Sequence, residues 1–95
     1  MGKKVAVLIK DKERQYEGLR SSLGLLFGQH IVSLFVLNHE IEVTEEYRDN
    51  MDIIEVMEGA RYSNVPANVD KYGFQPVTLA EVARKLKENE VIIPF

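Results

Sequence analysis

Val5-Ala-Val-Leu-Ile9, Tyr16-Glu-Gly-Leu-Arg-Ser-Ser-Leu-Gly-Leu-Leu-Phe27 and Ile31-Val-Ser-Leu-Phe-Val-Leu37 follow one another near the start of the chain. The first and third are short apolar runs rich in β-branched residues, bounded by charged or polar residues. They read as strands buried on both faces. Between them the period changes: Tyr16, Leu19, Leu23, Leu26 and Phe27 share one helical face, while Arg14, Glu17, Arg20 and Ser21 point away. A strand, a helix and a second strand apolar on both sides predict a parallel β-α-β unit with a right-handed crossover. Gly24 and Gly28 are expected to let this helix approach the sheet closely, with Gly28 as its C-cap.

The alternation continues. Thr44 is a plausible N-cap for a second helix whose apolar positions Val43, Tyr47, Met51, Ile54 and Met57 keep a 3–4 spacing, with Gly59 ending it. Ala60 to Ser63 reads as a brief third strand and residues 64–76 as a loop marked by Asn64, Pro66, Gly73 and Pro76. Thr78-Leu-Ala-Glu81 is a capping box, stapled by Val77 and Val82. Leu79, Val82, Ala83 and Leu86 form the expected core stripe of the third helix. Val91-Ile-Ile93 is the last strand. The expectation is one α/β domain over residues 1–95. It is a three-layer sandwich with a flavodoxin-like parallel sheet of about four strands, order 2-1-3-4, and helices on both faces.

Composition narrows the function classes. The 95 residues carry 12 basic and 15 acidic side chains, a net charge of −3, and 45% are hydrophobic. This balance disfavours disorder and disfavours a nucleic-acid binder, which normally carries a basic excess. The acids concentrate at residues 38–58, a solvated helix face or a docking surface for a basic partner. Cysteine is absent, which removes disulfides, thiolate nucleophiles and iron–sulfur ligation. The apolar run behind Met1-Gly-Lys-Lys is too short for a signal peptide, and no stretch approaches the roughly 20 apolar residues of a bilayer span. The reading is a cytoplasmic protein without membrane or nucleic-acid partners, and no cofactor or metal is expected.

In an open parallel sheet, ligands bind beyond the carboxyl ends of the strands where strand order reverses. With order 2-1-3-4 that point lies between strands 1 and 3. It would gather Lys10, Asp11 and Lys12 after strand 1 and Ser63 and Asn64 after strand 3, with Asn38 and His39 alongside. Familiar occupants fit poorly there. A flavin phosphate loop wants Ser, Thr and Gly where this chain has Lys-Asp-Lys-Glu-Arg, and no G-x-x-x-x-G-K-[ST] or G-x-G-x-x-G occurs. A phospho-receiver needs an aspartate where Ser63 and Asn64 stand. His39 beside Glu40 could act as a base with Ser63 as nucleophile, but no nucleophile elbow surrounds Ser63. His30 reads as a solvated loop or packing residue.

The stretch Tyr16 to Leu37 resembles the first helix and second strand of the DsrE/DsrF-like sulfur-relay family. The Leu-Ala-Glu-Val-Ala helix leading into Val-Ile-Ile-Pro-Phe95, and Met57-Glu-Gly-Ala-Arg-Tyr-Ser63, resemble it too. The resemblance implies a flavodoxin-like fold and assembly into a dimer, trimer or hexamer. In that family persulfide sulfur is carried on a cysteine just after the third strand. The matching position here is Ser63 or Asn64, and a serine hydroxyl cannot form a persulfide. The resulting expectation is a non-catalytic subunit or binding module, oligomeric through its sheet edge, helix faces and 64–76 loop, beside partners in sulfur metabolism. Tyr62, Tyr72 and Phe74 are candidate interface anchors, with capping of their own core as the other reading. The alternative function is a small-ligand or anion site built from Lys10, Asp11, Lys12, Asn38, His39, Ser63 and Asn64. A hydrolase using His39 is the third.

Overall fold

The computed structural model describes residues 2–42 and 44–95; Met1, and Val43, expected on the second helix, lie outside the described residues. The described chain runs β1 (Lys4–Ile9), a 3-10 turn (Lys12–Arg14), α1 (Gln15–Phe27), β2 (Ile31–Val36), α2 (Glu45–Val56), β3 (Ala60–Ser63), α3 (Pro66–Tyr72), β4 (Gln75–Pro76), α4 (Leu79–Leu86) and β5 (Val91–Pro94). All strand pairs are parallel. Alternation of side chains along the strands divides the core into two layers. Val5, Val7, Ile9, Val32, Leu34 and Val36 meet α1 and α2 on one face, whereas Ala6, Leu8, Phe35 and Leu37 meet Val82 of α4 on the other. The three-layer α/β expectation holds at this level.

The strand count and order differ from expectation. Five strands are present, in the order β4-β3-β2-β1-β5. The chain steps outward from β1 to β4, then crosses back on the opposite face through α4 to place β5 beside β1. Burial explains why. Residues Val5 to Ile9 of β1 are buried, and four of the six β2 residues are. In β3 only Ser63 is fully buried while Ala60, Arg61 and Tyr62 are partly buried. A strand carrying an arginine and a tyrosine, neither fully buried, suits a flank better than the sheet centre that order 2-1-3-4 would give it. The strand-order reversal therefore lies between β1 and β5, not between the first and third strands.

The expected 64–76 loop contains α3 and β4. Pro66 stands at the first turn of α3, and Gly73 ends it in the left-handed region (φ 72°), the Pro-start, Gly-stop asymmetry of helices. Close approach to the sheet falls on Gly18 instead of Gly24. A Cβ on Gly18 would lie 2.5 Å from the Ile9 side chain, while one on Gly24 would meet nothing within 4 Å. Gly28 is the C-cap of α1 as expected. The capping box of Thr78 and Glu81 forms, and Val77 and Val82 are both buried on the α4 face. Leu79 and Ala83, however, are exposed; α4 turns only the Val82–Leu86 line onto the sheet.

Both sheet edges end in proline. Phe95 N–H donates to Leu8 O and Phe95 O accepts from Lys10 N–H, so alternation turns the Pro94 nitrogen outward. Val77 N–H donates to Ser63 O and leaves Pro76 in the same situation on β4. A missing donor at each free edge discourages strand addition.

Candidate functional site at the carboxyl edge

The expected site residues separate into two groups. Asn38, His39, Ser63 and Asn64 converge at the carboxyl ends of β2 and β3. Lys10, Asp11 and Lys12 stand at the end of β1, beside β5. At the actual strand-order reversal the Lys10 and Asp11 amides both donate to Phe95 O, at 2.9 and 3.3 Å. The Arg14 guanidinium lies 5.2 Å from the Phe95 ring centroid. That crevice is closed by the chain itself.

Ser63 is 1% exposed, and its hydroxyl is saturated. It donates to Val36 O at 2.6 Å and accepts from Val65 N–H at 3.1 Å and Asn68 Nδ2 at 3.0 Å. A hydroxyl offers one donor and two acceptor positions, so none remains for a ligand or a base. Asn68, which sequence reasoning missed, is the hub. Besides Ser63, its Nδ2 donates to His39 O at 2.9 Å and its Oδ1 accepts from Ile41 N–H at 2.9 Å. It is fully buried. No periodic or motif signal marks a lone asparagine in a short helix.

Asn38 and Asn64 pair reciprocally. Asn64 Oδ1 accepts the Asn38 N–H, and Asn64 Nδ2 donates to Asn38 Oδ1, each at 2.8 Å. Asn38 has φ 67°, a left-handed conformation that asparagine tolerates better than most residues. The His39 Nδ1 lies 3.0 Å from Leu37 O. A carbonyl can only accept, so Nδ1 donates in this contact and Nε2 is left to find a partner of its own. That Nε2 is buried without a hydrogen-bond partner among the described residues, so this imidazole presents no accessible base at the edge. His30 accepts the Lys3 N–H at 3.0 Å, a packing role.

Asp11 caps the 3-10 turn by accepting from Glu13 N–H. Lys12 bonds Glu42 at 2.8 Å. Their mutual hydrogen bond raises the Lys12 ammonium pKa and lowers that of the Glu42 carboxyl. Gln15, buried and also missed, accepts from Glu42 N–H at 3.3 Å. These contacts pin the 38–42 segment over the start of α1. The hollow beyond β3 measures about 160 Å³ and is walled by Val65, Pro66, Val69, Pro76 and Val77, with Asp70 as its charged group. Apolar walls and one acid do not suit an anion.

The three aromatic anchors do not form one surface. Phe74 is buried in the same core layer as the apolar residues of α1 and α2, with the Arg61 guanidinium 5.6 Å from its ring centroid. Tyr72 packs half-buried against that same core, whereas Tyr62 lies on the opposite face. Tyr62 stacks on Phe35 at 5.1 Å with Lys85 Nζ 4.6 Å from its ring. Among the described residues no helix is long and apolar enough to cross a membrane. Comparison with protein families, with curated proteins and with solved structures finds no match for this chain.

Proposed function

We propose that the chain is a non-catalytic binding subunit of the DsrE/DsrF-like kind. It acts in the cytoplasm, assembles with copies of itself, and serves beside protein partners in sulfur metabolism. The observation that carries this reading is the saturated hydroxyl of Ser63: where the resembled family keeps a reactive thiol, this chain has an internal brace. A position with all its hydrogen bonds used inside the fold supports architecture over group transfer. The small-ligand reading at the same edge has less support, because Asn38, Asn64 and Ser63 satisfy one another and Lys12 is paired.

Assembly is supported by apolar side chains left on both layers. On the helical layer Val56 is 81% and Phe27 65% exposed, with Ile53 beside Val56 on α2; on the other side Ile31, Leu79 and Ile92 are exposed. Because the sheet edges end in proline, contact through these layers is favoured over strand addition. Sedimentation velocity and light scattering at micromolar concentration test this. A dimer, trimer or hexamer is expected, dissociating in Val56→Glu or Ile92→Glu. A monomer at every concentration would overturn the assembly reading.

A further inference from the structure

Arg61 extends from β3 under the gap between α2 and α3. Its side chain is 11% exposed, yet its guanidinium makes one hydrogen bond among the described residues, from Nη1 to Tyr72 O at 3.1 Å. Glu55 lies 3.8 Å away, beyond hydrogen-bond reach, and its own side chain is 70% exposed. A guanidinium carries five N–H donors in a planar fork. Such a group, withdrawn from solvent with most donors lacking a protein acceptor, is a ready receptor for a carboxylate or phosphate.

It lines a cleft of about 280 Å³ between α2 and α3. Arg48 stands on the α2 wall and Lys71 on the α3 wall, the latter already bonded to Glu40 at 2.8 Å. Asp52 and Glu55, one turn apart on α2, set negative charge beside them, and Met51 and Tyr72 supply apolar surface. Two acids disfavour a multiply charged anion, which three bases alone would attract. Bases, acids and apolar walls together match a ligand carrying one carboxylate, one ammonium group and an apolar body. The volume is near the lower limit of small-molecule sites.

We propose that this cleft binds a free amino acid with an apolar side chain. Its carboxylate lies on the Arg61 fork, its ammonium group against Asp52 and Glu55, and its side chain against Met51 and Tyr72. The site touches the carboxyl-edge segment through Lys71 and Glu40 but uses neither the Ser63 network nor an assembly contact, so either proposal can fail alone.

The test is titration of the isotopically labelled full chain with L-leucine, followed by NMR at the Arg61 side chain and the Met51 methyl. Saturable shifts are expected in the wild type. Affinity should fall about tenfold or more in Arg61→Lys, which keeps the charge and loses the fork, and similarly in Asp52→Asn; each removes one charge-assisted contact. 4-Methylpentanoate, without the amine, and 3-methylbutylamine, without the carboxylate, should each bind about tenfold more weakly than leucine. The dispersion of the amide spectrum shows that each variant is folded. Absence of saturable shifts, equal affinity in folded Arg61→Lys, or inorganic phosphate binding as tightly as leucine would overturn the proposal.

Discussion

The Ser63 hydroxyl donates to Val36 O at 2.6 Å and ties the carboxyl end of β3 to that of β2. Through Asn68 the same hydroxyl is linked to His39 O and the Ile41 amide, so two loops and α3 depend on one buried oxygen. Ser63→Ala strands the Val65 N–H and one Asn68 donor, and should lower stability by about 1–3 kcal/mol. Asn68→Ala should cost at least as much. The double variant should lose less than the sum, since both remove one network. Urea midpoints of the four proteins decide it, and a Ser63→Ala loss below about 0.5 kcal/mol would show that the brace is not stabilising.

Two helical glycines should respond to alanine with opposite signs. Gly24 is exposed on the outer side of α1 and faces open space, so Gly24→Ala should stabilise by about 0.5–1 kcal/mol through backbone entropy. Gly18 lies against Ile9, itself fully buried in β1, so Gly18→Ala should destabilise by about 1–3 kcal/mol through overpacking. Thermal midpoints on either side of the wild type are the expected reading. Two shifts of the same sign would contradict the packing described.

These two glycines also show what sequence could and could not convey. Helix existence was legible because Leu19, Leu26, Tyr47, Met51 and Ile54 repeat at helical spacing, and the Thr78 box announces its helix by local chemistry alone. Which glycine touches the sheet depends on a neighbour, Ile9, that is distant along the chain. Strand order is a similar matter, since β-α-β alternation fits several orders. Arg61 and Tyr62, polar-tipped residues in a short strand, are the one compositional difference that sets β3 apart from β1 and β2. At the carboxyl edge, strand ends placed Asn38, His39, Ser63 and Asn64 at one end of the sheet, whereas the expected grouping of Ser63 and Asn64 with Lys10, Asp11 and Lys12 rested on a strand order the chain does not adopt. The mutual saturation of the residues after β2 and β3 depended on Asn68, a residue in a segment read as loop.

The capping box gives α4 an acid-sensitive start. Glu81 accepts from Thr78 N–H at 3.0 Å while Thr78 Oγ1 accepts from Glu81 N–H at 3.1 Å. The hydrogen bond from the Thr78 backbone holds the Glu81 carboxyl below its ordinary pKa of 4.5. A folded pKa below the unfolded one stabilises above about pH 4.5, and that contribution is lost as pH falls through the folded pKa. Glu81→Gln should therefore flatten the acid limb of a stability–pH profile measured by urea unfolding between pH 7 and pH 3. Thr78→Ala should cost about 1 kcal/mol at pH 7 by losing the cap. An unchanged acid limb in Glu81→Gln would mean the carboxyl does not stabilise the helix start.

Tyr47 sits between α1 and α2 with its ring 4.0 Å from that of Tyr16, fully buried, and its hydroxyl finds no partner among the described residues. An unpaired buried hydroxyl has lost its hydrogen bonds to water without replacement, so removing it relieves a desolvation cost. Tyr47→Phe keeps the ring and its packing, and should raise stability by about 1 kcal/mol at neutral pH. Burial also pushes the phenol pKa upward from 10.0. The unfolded chain ionises there while the folded one does not, so Tyr47 draws stability down as pH rises above about 10. Tyr47→Phe should accordingly show a shallower alkaline limb, with the phenolate absorbance before unfolding unchanged from the wild type. A loss of stability in Tyr47→Phe at neutral pH would instead show that the hydroxyl is hydrogen-bonded in solution.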